Sequence, residues 1–400
     1  MPSIEGSGLP LVFKSVGASA PEASETRPPG NTVAIRTEVR SLEGMQKEAV
    51  VTCEPEGTSW RLVSDEGPYL NGKDMAPFPL AFFTAGMQFS FLSEFLQGAR
   101  AQDVAIDEAS LAQDNFYSME GSFLRGDATG GAKPAVLRLR VKSNAPASKI
   151  AELSRMAEAS SPAQSLMRNL MQNTFSLRLN GRPHPINDLA SSPSPNEQDP
   201  VTHFEGVVPA SESFLPDIIK RVKTAEKRTG VEGGAGSSLQ AEQKRTLHVH
   251  GDARWLGGML MESLVHLYKP IGSSFAFICD ETERQGGKAI APPPLAYLSA
   301  GIGFCYMTQL GRFAHIKKQA LDSYRIVQKS AFPFRRASRD GSRAAAMAPV
   351  DTQVFLDARF AEDDDGPKLV SMGQQTCFLH AAMRGEHPSR ISVELNGKEL

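Results

Sequence analysis

Two cysteines, Cys305 and Cys377, carry the most reactive chemistry in this sequence of 400 residues. Cys305 closes the stretch Gly287 to Cys305, GKAIAPPPLAYLSAGIGFC, a proline-punctuated loop that runs into an almost unbroken apolar segment. At helical spacing it shares one face with Leu298, Ile302 and Gln309. Free cysteine is among the most buried residue types, so a lone thiol here would be accounted for by core packing. The thiolate is the reactive form, and burial raises a thiol's pKa, so a working Cys305 needs a cation beside it. Cys377 lies in GQQTCFLHAAM, with His380 one helical turn further on the same face, as a base or as a packing residue.

The elements that must position these thiols occur twice. GKDMAPFPLAFFTAGMQFS, Gly72 to Ser90, copies the Cys305 stretch at an ungapped offset of 215 and puts Ser90 where the later copy has Cys305. VRSLEGMQKEAVV (39–51) matches ARWLGGMLMESLV (253–265), and WRLVSDE (60–66) matches FAFICDE (275–281). Ser161 falls near Cys377 at offset 216. An internal repeat of this kind governs the reading of the whole chain. One half carries the thiols; the other has Ser90 and Ser161, which without an adjacent base read as silent remnants.

Each half predicts the same order. Three strands (VAIRTEV, KEAVVTCE and WRLVSDE in the first) precede a helix from about Pro79 to Gln97 that is apolar nearly all round, as a central buried helix must be. Further strands follow, NFYSMEGSFL and the alternating VLRLRVKS, then a helix over about 148–173, broken at Pro162, and the strand FSLRLNG. The expected division is an arm over 1–31, one unit over 32–181 without the cysteine pair, a linker over 182–243, and a second unit over 244–400 with Cys305 and Cys377. The arm is expected to pack on a neighbour through Leu11, Val12 and Phe13, and a homo-oligomer stays open. The linker is expected to hold one short amphipathic helix in SESFLPDIIKRVKTAEKR.

Composition narrows the function. Net charge is formally −2, which gives no basic surface for nucleic acid or an anionic membrane. Hydrophobic residues at 40% and charged residues at 22% suit a soluble globular chain with real cores. Four irregularly spaced cysteines form no disulfide framework and fit a reducing, cytoplasmic setting, with Cys53 and Cys279 as ordinary buried thiols. The N-terminus does not read as a signal peptide, and no apolar run reaches the roughly 18–20 residues needed to span a bilayer. Neither a zinc-type Cys/His spacing nor a nucleotide-binding loop is present, so no metal and no cofactor are expected.

The segment PxxLxxxxAGxxxC over Pro292 to Cys305, with a second cysteine on the second long helix, resembles the OsmC/Ohr family of thiol-dependent proteins, and the repeat extends the resemblance over both halves. The separation of 72 residues between Cys305 and Cys377 exceeds the family's usual spacing, and the insertion PFRRASRDGSRAAAMAP accounts for the excess. The resemblance implies an α+β fold in which curved antiparallel sheets wrap central buried helices, here as an intramolecular pseudo-dimer. It implies that Arg254, in RWLGGM, polarises the thiol of Cys305, with Arg40 as its counterpart in the first half. It implies that Cys377 resolves an oxidised Cys305 by forming a disulfide. One departure is plain: Ohr-type enzymes carry a glutamate ten residues before the cysteine, where this chain has Leu295. The implied activity is reduction of a hydrophobic organic hydroperoxide, with a dithiol as reductant. Two alternatives stay open: a hydrolase or lyase with Cys305 as nucleophile, Arg254 holding the oxyanion and His380 moving protons, and a non-catalytic binding protein.

Overall fold

The computed structural model describes residues 2–16, 32–54, 56–211, 215–225, 243–335 and 344–400. It is an α+β fold of two sheets enclosing helices. The principal elements of the first half are β1 (Val12–Val16), β2 (Thr32–Ser41), β3 (Lys47–Glu54), β4 (Thr58–Ser64), α1 (Pro79–Ala101), β5 (Glu108–Gly121), β6 (Val136–Lys142), α2 (Ala147–Ser160), α3 (Pro162–Arg168) and β7 (Thr174–Leu179). After them come β8 (Ile219–Lys223), β9 (Gln243–Gly257), β10 (Leu260–Lys269), β11 (Ser274–Cys279), α4 (Pro294–Lys317), β12 (Ala320–Arg335), β13 (Asp351–Arg359), α5 (Asp365–Thr376), α6 (Phe378–Met383) and β14 (Arg390–Leu395).

Each sheet takes strands from both halves of the chain. In the first the order is β7-β13-β12-β2-β3-β4-β1, and in the second β8-β11-β10-β9-β5-β6-β14. The meander β2–β4 therefore pairs with β12 through Arg40↔Arg325 to Thr32↔Pro333, while β9 pairs with β5 through Gln243↔Gly121 to Arg254↔Ser110. The closing strands repeat the exchange, β7 lying parallel to β13 and β14 parallel to β6.

Between the sheets lie the two helices that the sequence marks as too apolar to face water. Both open on proline at the first turn, Pro79 and Pro294, where no backbone N–H is needed. Helix α1 packs on β5, β9 and β10; helix α4 packs on β2, β3 and β12; and the two pack on each other. Their crossing is set by the repeated Ala-Gly step. A Cβ on Gly86 would come within 2.6 Å of the Leu298 nitrogen, and one on Gly301 within 2.7 Å of the Phe83 nitrogen. Only glycine admits that approach. With a sheet on one side and a helix on the other, Phe82, Phe83, Phe89, Phe91 and Phe95 are fully buried, each contributing about 2 kcal/mol of apolar burial.

Three expectations change. The arm packs on its own chain: β1 pairs with β4, and Val12 and Phe13 are buried there, while residues 17–31 lie outside the described residues. The amphipathic helix expected after Ser211 is, where described, the edge strand β8, which pairs with β11 and satisfies its backbone there; residues 212–214 and 226–228 of that stretch lie outside the described residues. The helix over 148–173 is broken where expected, into two helices that meet at Ser161 before Pro162, but it ends at Arg168, short of 173. Part of the insertion after Pro333, residues 336–343, also lies outside the described residues. The stretch around Glu197 to Asp199 lies across the outer face of the first sheet, where Asp199 takes a two-pronged ion pair of 2.6 Å from Arg325 and Glu197 pairs with Arg36 at 2.9 Å.

Candidate thiol site

Cys305 sits on α4 at 2% exposure, and its sulfur lies 3.3 Å from that of Cys377, which is fully buried. Cys377 occupies the corner between α5 and α6, with extended backbone (φ −69°, ψ 120°) that stops one helix and starts the next. That corner turns the backbone N–H of Leu379 toward Cys305 and that of His380 toward Cys377.

The first half holds the same construction without sulfur. Ser90 and Ser161 place their hydroxyls 2.8 Å apart, and Ser161 forms the corner between α2 and α3 at φ −69°, ψ 118°. The N–H of Ala163 donates to Ser90 and that of Gln164 to Ser161. The pairing of Ser161 with Cys377 is thus fixed by backbone geometry.

Around Cys305 a narrow cavity of about 20 Å³ remains, room for little more than one water. Leu70, Phe78, Leu80, Leu247, Leu267 and Phe378 form its apolar wall, and Glu66, Tyr69, Arg245, Thr308 and Gln309 its polar side. Glu66 accepts from the Tyr69 hydroxyl at 2.8 Å and from Thr308 at 3.3 Å. Arg312 donates to Gln309 at 3.1 Å and lies over the Phe123 ring. Lys47, fully buried on β3, completes the charged group. Burial sets the electrostatics. It pushes Lys47 down, with Glu66, Asp65 and Cys305 opposing. It brings Arg312 down to about 9, helped by Arg245, and Arg245 down to about 10. It raises the carboxyl of Glu66, against the pull of Lys47 and Arg312.

The two thiols part in opposite directions. Burial, and then the neighbouring Cys377, push Cys305 well up. Burial works against ionisation of Cys377 as well, but the hydrogen of Cys305 and the adjacent His380 bring it well below the ordinary thiol value. The two sulfurs share a hydrogen bond, so that ionisation of one depends on the other. His380 is fully buried against Tyr306 and Phe175, and neither ring nitrogen completes a hydrogen bond to nitrogen or oxygen among the described residues. Tyr117 is buried nearby, its hydroxyl pushed well up by burial and by both sulfurs.

Cys305, Cys377, His380 and Gln309 are brought together. Arg254 and Arg40 are not. Residues alternate along β9, so Leu247, Val249 and Ala253 face the helices while Arg254 faces outward, two-thirds exposed and ion-paired to Glu262 at 2.6 Å. Arg40 makes the equivalent pair with Glu48, also at 2.6 Å, and lies over the Phe204 ring. The shared arginine is a cross-strand ion pair in both halves. Arg245 has the parity of Leu247 and Val249, and that signal was readable in the strand itself. Lys47 and Glu66 were out of reach of such a reading, since they come to Cys305 from the other half. The repeat aligns Glu66 with Glu281, but Lys47 with Met261 and Arg312 with Gln97, so the cations gather only at the thiols. Cys53 and Cys279 lie buried on β3 and β11, with burial raising both thiols.

No protein-family model matches the chain, and no curated protein sequence matches it. Among solved structures the chain is similar to an OsmC-like hydroperoxide resistance protein from Jannaschia sp. CCS1, known at 1.70 Å, with 24% identity over 33% of this chain and 81% of that one and a TM-score of 0.21. So slight an overlap fixes neither fold nor activity.

Proposed function

We propose that the chain is a fused pair of OsmC/Ohr-type halves, an intramolecular pseudo-dimer over 32–181 and 244–400, whose second half reduces a hydrophobic organic hydroperoxide. The observation that carries this reading is the 3.3 Å contact between the sulfurs of Cys305 and Cys377 beside Lys47, Arg245 and Arg312. A disulfide needs about 2.05 Å, so a short approach of the two sulfurs closes it.

Cys305 faces the cavity and is the attacking sulfur. Its proton passes to Cys377, and the resulting thiolate takes the terminal peroxide oxygen while the O–O bond breaks. The departing alkoxide takes up that proton, leaving an alcohol and a sulfenic acid on Cys305. Cys377, again a thiolate, attacks the sulfenic sulfur; the disulfide forms and hydroxide leaves. A dithiol then reduces the disulfide. The buried cations stabilise negative charge on Cys305 and on the departing oxygen. Entry requires the cavity to open, and Tyr69 and Leu70, at 9% exposure the least covered of its apolar and aromatic wall, are the natural gate. The hydrolase reading loses its oxyanion holder, because Arg254 is committed to Glu262 on the outer face.

The test is consumption of cumene hydroperoxide with dithiothreitol as reductant. Wild-type protein should turn over repeatedly and Cys305→Ser should not. Equal rates in the two would remove the proposal.

A further inference from the structure

On the outer face of the second sheet, away from the thiols, three potential metal ligands converge. Asp114 on β5 stands directly opposite His250 on β9, and His248 lies two residues along on the same face. The Asp114 oxygen Oδ1 is 2.8 Å from His248 Nε2 and 2.7 Å from His250 Nδ1, and all three ligand atoms lie within 4.8 Å of one another. We propose that these residues bind a divalent first-row transition-metal ion, in a facial set of two imidazoles and one carboxylate.

Two features support the assignment beyond residue type. The first is spacing. With metal–ligand bonds of about 2.0–2.2 Å, neighbouring ligands of an octahedral ion lie about 3 Å apart, close to the 2.8 and 2.7 Å that separate Asp114 Oδ1 from the two ring nitrogens. The second is the surrounding support. His250 turns its other ring nitrogen to Asp252 Oδ2 at 3.1 Å, and Asp114 holds its second oxygen on Arg138 at 3.0 Å. Carboxylate partners behind a ligating imidazole, and a tethered ligating carboxylate, are the outer contacts that metal sites use to fix their ligands. Ring stacking holds the imidazoles further, His248 on Phe116 at 4.5 Å and His250 on Tyr268 at 5.4 Å and 9°. Because Asp114 belongs to the first half and both histidines to the second, the ion fastens the β5–β9 seam.

The test uses the full chain, stripped with chelator and titrated with Co²⁺ and with Zn²⁺. We expect one equivalent of Co²⁺ to bind, with ligand-field absorption and no thiolate-to-metal charge-transfer band. Affinity should fall at least tenfold in both His248→Gln and His250→Gln and stay unchanged in Cys305→Ser. Saturating Zn²⁺ should raise the Tm of wild type and of Cys305→Ser, but not of the histidine variants, whose circular dichroism checks that they fold. Absence of saturable binding, binding that survives both histidine substitutions, or a thiolate band lost with Cys305 would each overturn the site. None of these outcomes bears on the peroxidase reading.

Discussion

The hydroxyls of Ser90 and Ser161 lie 2.8 Å apart at the positions that the repeat assigns to Cys305 and Cys377. The first half thus keeps the scaffold of the site, including the two backbone N–H groups, and lacks its sulfur and its cations. Ser90→Ala should leave hydroperoxide turnover within about twofold of wild type and cost about 1 kcal/mol of stability, the worth of one hydrogen bond. Urea denaturation and the peroxidase assay check both parts. A large loss of turnover would give the first half a site of its own.

The charges beside Cys305 should matter where the exposed arginine does not. Lys47→Met installs the residue that the other half has at that position. It should slow oxidation of Cys305 roughly tenfold, about 1.4 kcal/mol in the barrier. Arg254→Ala removes an ion pair of a two-thirds exposed side chain and should change the rate less than twofold. Stopped-flow oxidation by cumene hydroperoxide compares them; the reverse order would restore Arg254 to the role the family resemblance gives it.

Glu281, fully buried and bonded to Ser93, has its carboxyl raised to about 7, chiefly by burial. Asp65 is raised to about 6 for the same reason. Both bind a proton more tightly folded than unfolded. Their contribution is therefore complete below the ordinary carboxyl range and is lost as pH rises through 6 and 7. Glu281→Gln should flatten this decline and stabilise the protein at pH 8 by up to about 3 kcal/mol. Urea midpoints between pH 5 and pH 8 measure it, and an unchanged pH slope would contradict the account.

Cleavage at a protease site placed between residues 230 and 240 should leave one body on gel filtration. The fragments share both sheets, through β2–β12 and β5–β9, and the glycine crossing of α1 and α4. Two fragments that separate and stay folded would contradict the interleaved topology.

The sequence made the repeat, the central helices and both thiols visible, because apolar periodicity and an ungapped offset are local signals. It misled at Arg254, where a motif position was given weight that strand parity denies: Arg254 shares its face with Asp252 and His250, not with Val249 and Ala253. It was silent on Lys47 and Glu66 around Cys305, since strand exchange between the halves brings them there; Arg312, seven residues after Cys305 on the same helix, lies on its face and was passed over. The histidines of LHVHGD were passed over because their third partner, Asp114, lies more than a hundred residues away and joins them only across the β5–β9 seam.

The central claim is that Cys305 and Cys377 act as a peroxidatic and resolving pair, and intact-mass and peptide mass spectrometry after one equivalent of cumene hydroperoxide tests it most directly. Wild-type protein should lose two hydrogens as a Cys305–Cys377 disulfide. Cys377→Ser should gain oxygen on Cys305, progress to the sulfinic acid with excess peroxide, and stop after about one turnover. A Cys377→Ser protein that turns over repeatedly with Cys305 unoxidised, or a wild-type protein whose pair stays reduced while peroxide is consumed, would contradict it.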